Sequence, residues 1–150
     1  MRFSVIPIFW MVIMITGCTS NDMEGRIKKS AKLCDGSNNC TVTISSLTDF
    51  KWDKMYVFDN ATAPEIIDSA IGMEYPYYEE FSRTMIFLNK GKIVHHESHP
   101  DEIETATDGA VIFDYPDSLN HQVYTINRDK FSIQIIAFKE GSYYLLKQVK

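Results

Sequence analysis

Short runs of β-forming residues, punctuated by turn residues, dominate this chain from Thr41 almost to its end and most constrain its fold. Thr41–Leu47 alternates, with Val42 and Ile44 on one face and Thr41, Thr43 and Ser45 on the other, which predicts a half-buried strand. Met55–Phe58 is a second short run. Thr84–Leu88 and Lys92–His96 flank Asn89-Lys90-Gly91, a hairpin signal with a glycine able to take positive φ. Ala110–Phe113 is a further apolar run. Gln122–Ile126, Phe131–Phe138 and Ser142–Lys147 are separated only by polar turn segments, and this spacing predicts a C-terminal antiparallel meander.

One helix interrupts the strands. Thr62 and Glu65 have the spacing of a capping box, and Pro64 suits a first turn. Ile66, Ile67, Ala70 and Ile71 form an apolar stripe, and Gly72 supplies a stop. Ser98–Ala106 reads as one or two further helical turns, with Ser98 as cap and Asp101 at the favourable end. These elements predict an α+β domain, an antiparallel sheet of about seven short strands packed with one or two short helices. Strand order does not follow from the pattern. The segment Phe50–Phe58, with Trp52 expected in the core and Asp53 and Lys54 on the surface, is similar to a pattern in small exported bacterial proteins.

The N-terminus reads as an address. Arg2 precedes an apolar run, Phe3–Ile15, which is followed by the small residues Thr16 and Gly17 and by Cys18. That is the order of a secretory signal, and the run is shorter than the roughly 20 residues a spanning helix needs. Ile15-Thr16-Gly17-Cys18 resembles the lipobox of bacterial lipoproteins. The resemblance implies lipid attachment to the Cys18 thiol and cleavage before it, so that residues 1–17 are removed. More than one acyl chain is needed for stable anchoring. An ordinary signal with a coincidental cysteine is the alternative. By the same resemblance Thr19, where an aspartate favours inner-membrane retention, points to the outer membrane facing the periplasm. Residues 18–30 read as a polar tether and 31–150 as a single domain.

Removing residues 1–17 takes away Arg2 and no acid, so 14 basic and 20 acidic residues remain, a net charge of −6. The tether cations Arg26, Lys28 and Lys29 are the only basic cluster, which argues against nucleic acid as a partner. Of three cysteines, Cys18 is assigned to lipid, leaving Cys34 and Cys40 as a pair in an oxidising compartment. Five turn-forming residues separate them, so a disulfide across a tight loop is expected. A redox site has the wrong spacing, and no nearby ligand completes a metal tetrahedron.

Motifs with chemistry are few. His95-His96-Glu97-Ser98-His99 carries metal-ligating side chains, but strand geometry sends His95 and His96 to opposite faces and HExxH spacing is not met. No metal site and no cofactor are expected. His121 reads as a loop residue. Neither GxSxG nor a phosphate-binding glycine motif is present, so no enzyme is expected. Glu74-Tyr75-Pro76-Tyr77-Tyr78-Glu79-Glu80-Phe81 combines four aromatics with three acids. Tyrosines favour protein interfaces, so Glu74, Tyr75, Tyr77, Tyr78, Glu79, Glu80 and Phe81 are the candidate partner-binding residues. The alternative has these rings packing over the helix end. In general form the chain resembles small immunity-type periplasmic lipoproteins, which implies a non-enzymatic inhibitor of a protein toxin with a basic surface. A structural component of an envelope complex is the second reading, and a small-molecule or metal-binding module the third.

Overall fold

The computed structural model describes residues 22–34, 40–101, 107–116 and 121–149. The signal, Cys18 and Thr19 lie outside the described residues. Among the described residues the fold is α+β, with eight strands in two four-stranded sheets and three helices. One sheet has the order β1-β7-β8-β5 and the other β4-β3-β2-β6.

The first helix, α1 (Met23–Leu33), begins inside the stretch expected to be a tether and so corrects that boundary. Asp22 caps it by accepting a 2.7 Å bond from the Gly25 amide, with Glu24 in the first turn and Lys32 in the last. Its apolar positions recur only every fourth residue, as Met23, Ile27 and Ala31, all buried. That narrow stripe is diluted by Gly25, Arg26, Lys28 and Lys29, which is why the segment looks polar in sequence.

Cys34 and Cys40 are joined by a disulfide with their Cα atoms 5.4 Å apart, as expected. The chain then forms β1 (Thr41–Thr43) and a single helical turn, α2 (Ile44–Leu47), instead of one strand. Buried Asp129 explains the change. Its carbonyl accepts from the Ile44 amide at 2.9 Å and its carboxylate from the Ser45 amide at 2.7 Å, so the first amides of the turn are satisfied from another part of the chain. Val42 and Ile44 remain buried, as their alternation predicts.

The second sheet contains β2 (Lys54–Phe58), β3 (Ser82–Asn89), β4 (Lys92–Pro100) and β6 (His121–Thr125). Its central strands β2 and β3 are buried on both faces. Met55, Val57, Met85 and Phe87 meet the main core shared with α1, Trp52 and the first sheet, whereas Tyr56, Phe58, Ile86 and Leu88 face the helix α3 (Pro64–Ile71). Ile67 and Ile71 of α3 fill that second core, and Gly72 ends the helix in the left-handed region at φ 77°. Thr62 does not cap α3. It is buried, its hydroxyl bonds Asp59, and the N-cap position belongs to Ala63.

The first sheet is completed by β5 (Val111–Phe113), β7 (Lys130–Phe138) and β8 (Gly141–Gln148). Two expectations fail here. The three C-terminal strands do not form a meander, because β6 pairs with β2 in the second sheet and only β7 and β8 make a hairpin. Nor is the pairing wholly antiparallel, since β5 runs parallel to β8. Ser98 lies within β4, so no helix starts there.

The β3–β4 turn matches its sequence signal. Lys90 and Gly91 both have positive φ, 51° and 73°, and the Lys90 amide donates to Asp53 at 2.7 Å. The strands on either side are longer than expected, and Val94 is an extra residue in β4. Leu88 pairs with Ile93 and Phe87 with His95, leaving Val94 as a bulge. Without it, Ile93 and His95 would share a face. With it, Ile93 and His96 face the α3 side, while His95, Glu97 and His99 face the main core and α1.

Candidate partner surface and the histidine strand

The segment after α3 is pinned at its start. The Met73 amide donates to the Asp68 carbonyl, and the Tyr75 amide donates to the Asp68 carboxylate at 2.7 Å. This turns the Tyr75 ring inward, where it is 4% exposed among Ile67, Ile71, Ile86 and Leu88. Its hydroxyl lies 3.3 Å from His96 Nδ1. Tyr75 is therefore a core residue and drops out of the candidate surface.

The remaining candidates are exposed. Tyr77 is 49% exposed and stacks on His96, with ring centroids 4.0 Å apart and planes 10° from parallel. Tyr78 and Phe81 also present their rings to solvent, and Glu74, Glu79 and Glu80 are exposed around them. Between this segment and the β3–β4 turn runs an open groove of about 430 Å³, lined by Met73, Tyr77, Lys92, Ile93, Val94 and His96 among others. Val94 is 40% exposed at the bulge. Burial, helped by the neighbouring His95, lowers the pKa of His96 and favours a neutral ring under Tyr77, despite Glu79 and Glu97 pulling the other way.

On its other face β4 builds a polar clamp. His95 Nε2 lies 2.7 Å from one Glu97 oxygen and His99 Nε2 lies 3.3 Å from the other. The Met23 amide, first of α1, donates to both oxygens at 2.8 Å. Burial alone would raise the Glu97 pKa. The bonds from His99, His95 and Met23 together outweigh it, so the carboxylate stays charged below its ordinary range. Burial likewise opposes a charge on His99, but Glu97, Glu24 and Asp22 raise its pKa overall. His95 also stacks on Phe50 at 4.6 Å.

Beside the clamp, Arg83 draws α1, β3 and β5 together. It contacts Glu24 at 3.1 Å, lies 2.9 Å from Asp101 in an ionic contact outside hydrogen-bond alignment, and donates to the Val111 carbonyl at 2.6 Å. Asp101 in turn receives the Thr107 hydroxyl. Glu24, Arg83 and His99 border a half-open cavity of about 60 Å³ with Val57, Met85 and Tyr115.

Among the described residues no group of three or more His, Cys, Asp or Glu side chains is arranged to hold a metal ion. The imidazoles of His95 and His99 are directed onto one carboxylate already held by a backbone amide, which makes the motif a structural joint. His121 lies in β6 and stacks on Phe58 at 5.3 Å, so it belongs to a strand and not a loop. The Arg83 cluster had no sequence signal, because its members are far apart in the chain. The clamp had one, since His95, Glu97 and His99 repeat with period two. Among the described residues no helix is long and apolar enough to cross a membrane. Searches of protein-family models, curated proteins and solved structures found no match to this chain.

Proposed function

We propose that the mature chain is a non-enzymatic lipoprotein of the cell envelope, held by lipid on Cys18 in the outer membrane facing the periplasm. It binds and inhibits a protein partner in the manner of an immunity protein. The observation that carries this reading is Tyr77, exposed yet held by stacking on His96 beside a groove, with Tyr78, Glu74, Glu79 and Glu80 around it. A ring whose rotamer is already fixed loses little entropy on binding, and aromatic side chains at the centre of an interface carry much of its energy. The surrounding acids complement a partner with a basic face and speed the encounter.

The test is capture from envelope extracts by the mature domain, in parallel with Tyr77→Ala/Tyr78→Ala. A protein retained by the wild type should be lost by the variant, with binding weakened by at least ~2 kcal/mol if both rings are hot spots. The melting temperature should change much less than the affinity, because both rings are partly exposed and only Tyr77 packs on the fold, against His96 and Tyr75. Glu79→Gln/Glu80→Gln should mainly slow association and reduce its salt dependence. Full affinity in the folded tyrosine variant would move the interface elsewhere. A captured protein whose toxicity the domain does not relieve would favour a structural role.

A further inference from the structure

We infer that the corner of the second sheet where β3 begins and β4 ends rests on the lipid bilayer, with Phe81 entering the headgroup layer of a zwitterionic lipid surface. The inference rests on the lipid-anchor reading of Cys18.

The first argument is reach. Five residue steps separate Cys18 from Met23, and an extended chain covers at most about 3.5 Å per step, so Met23 lies within about 18 Å of the anchored cysteine. Met23 is also fixed relative to the sheet. Its amide is held by Glu97, and the neighbouring Glu24 is held by Arg83. Arg83 pairs with His99 across the two strands, and two residues before it the Phe81 carbonyl accepts from Asp101 at 2.9 Å. The anchor therefore keeps this corner near the membrane, since α1 is docked on it through buried polar contacts.

The second argument is Phe81 itself. Its ring is 49% exposed and its φ is 54°. A bulky residue in the left-handed region is uncommon and persists where the surrounding structure imposes it, often for function. Here the Asp101 bond and the start of β3 at Ser82 hold the backbone while the ring projects. Aromatic rings at a membrane–water boundary place apolar area below the headgroups.

Charge selects the lipid. At this corner Arg83 is engaged by Glu24 and Asp101, and Lys28 by Glu24, whereas Glu79 and Glu80 are exposed just before Phe81; the exposed Lys29 and Lys32 lie further along α1, more than one turn from its docked start at Met23. An anionic leaflet attracts clustered Lys and Arg, and would repel these carboxylates. The outward ammonium of phosphatidylethanolamine complements them. The bilayer thus takes Phe81, leaving Tyr77, Tyr78 and the groove to the partner, with Glu79 and Glu80 at the boundary between the two contacts.

The test uses acylated protein reconstituted into vesicles of phosphatidylcholine and phosphatidylethanolamine containing brominated lipid. Radiolabelled palmitate is measured first. Without label on the wild type the anchor reading itself fails, while label with no quenching overturns this inference alone. Phe81→Trp is compared with Ile126→Trp, which is 47% exposed at the diagonally opposite corner of the same sheet; buried Trp52 is a shared background. Lipid brominated near the headgroup should reduce emission from Phe81→Trp roughly twofold, as expected for a ring 5–10 Å deep, and leave Ile126→Trp unchanged. Adding phosphatidylglycerol should weaken the quenching. Equal quenching at both positions overturns the inference, as does stronger quenching in anionic vesicles. So does an unquenched Phe81→Trp whose emission shifts only when a protein partner is added, which would give the ring to that partner. If tryptophan at 81 disturbs folding, Glu80→Trp at the exposed neighbouring position gives the depth reading against Ile126→Trp, with the phosphatidylglycerol arm left out because this variant removes one of the two carboxylates.

Discussion

Glu97→Gln tests the joint between α1 and β4 with almost no change of shape. The wild-type carboxylate accepts the Met23 amide at 2.8 Å with both oxygens, His95 at 2.7 Å and His99 at 3.3 Å, and its side chain is 9% exposed. Glutamine keeps one carbonyl oxygen and turns an NH₂ group towards donors. Bonds to a charged group contribute about 1.5–3 kcal/mol each, and a donor left unmatched in a buried site adds its own cost. The His95 bond is 35% exposed on the histidine side and screened by solvent, so it adds little. Losing the charge opposite the first amide of a helix costs about a further 0.5 kcal/mol. The expected loss is about 3 kcal/mol, or roughly 12 °C in melting temperature for a domain of this size. Urea denaturation of the soluble chain beginning at residue 19 measures it, with the slope unchanged if only the native state is affected. Amide exchange should speed up in the first turn of α1 first. A loss under about 1 kcal/mol, or unaltered exchange in α1, would refute the joint as described.

Four further outcomes are expected. The folded-state pKa of His99 is raised, so its contribution is fully present below its ordinary value of 6.5 and is lost as pH rises through the raised value; the stability gap between wild type and His99→Gln should therefore shrink from mildly acidic to alkaline pH in paired melts. The Glu97 contribution has the opposite sense, present above 4.5 and lost as pH falls through its depressed value, so Glu97→Gln should approach the wild type in strong acid. Cys34→Ala/Cys40→Ala should remain folded and lose about 2 kcal/mol by denaturation, since the bond closes a short loop; alkylation of unreduced envelope protein should label neither thiol. Cys18→Ala should abolish palmitate labelling and leave the precursor uncut, and equal labelling would end the lipobox reading.

What the sequence determined on its own was whatever depends on neighbours along the chain. The α+β class, the Lys90-Gly91 turn, the stop at Gly72 and the opposite facing of His95 and His96 follow from turn chemistry and period two, which act over a few residues. The Cys34–Cys40 bond followed from count and spacing. Tertiary structure decided the rest. Asp129 converts the end of an alternating strand into a helical turn, and β2 rather than β7 claims β6, because backbone groups are satisfied by partners far away in sequence. A capping-box spacing at Thr62 yields to a bond with Asp59. Three apolar residues spaced four apart make a buried helix out of an apparent tether only because two sheets leave a core for them to fill. The candidate surface shows the same division. Composition marked Glu74–Phe81 as unusual, but only packing against α3 and the central strands separates Tyr75, which is core, from Tyr77 and Phe81, which are exposed.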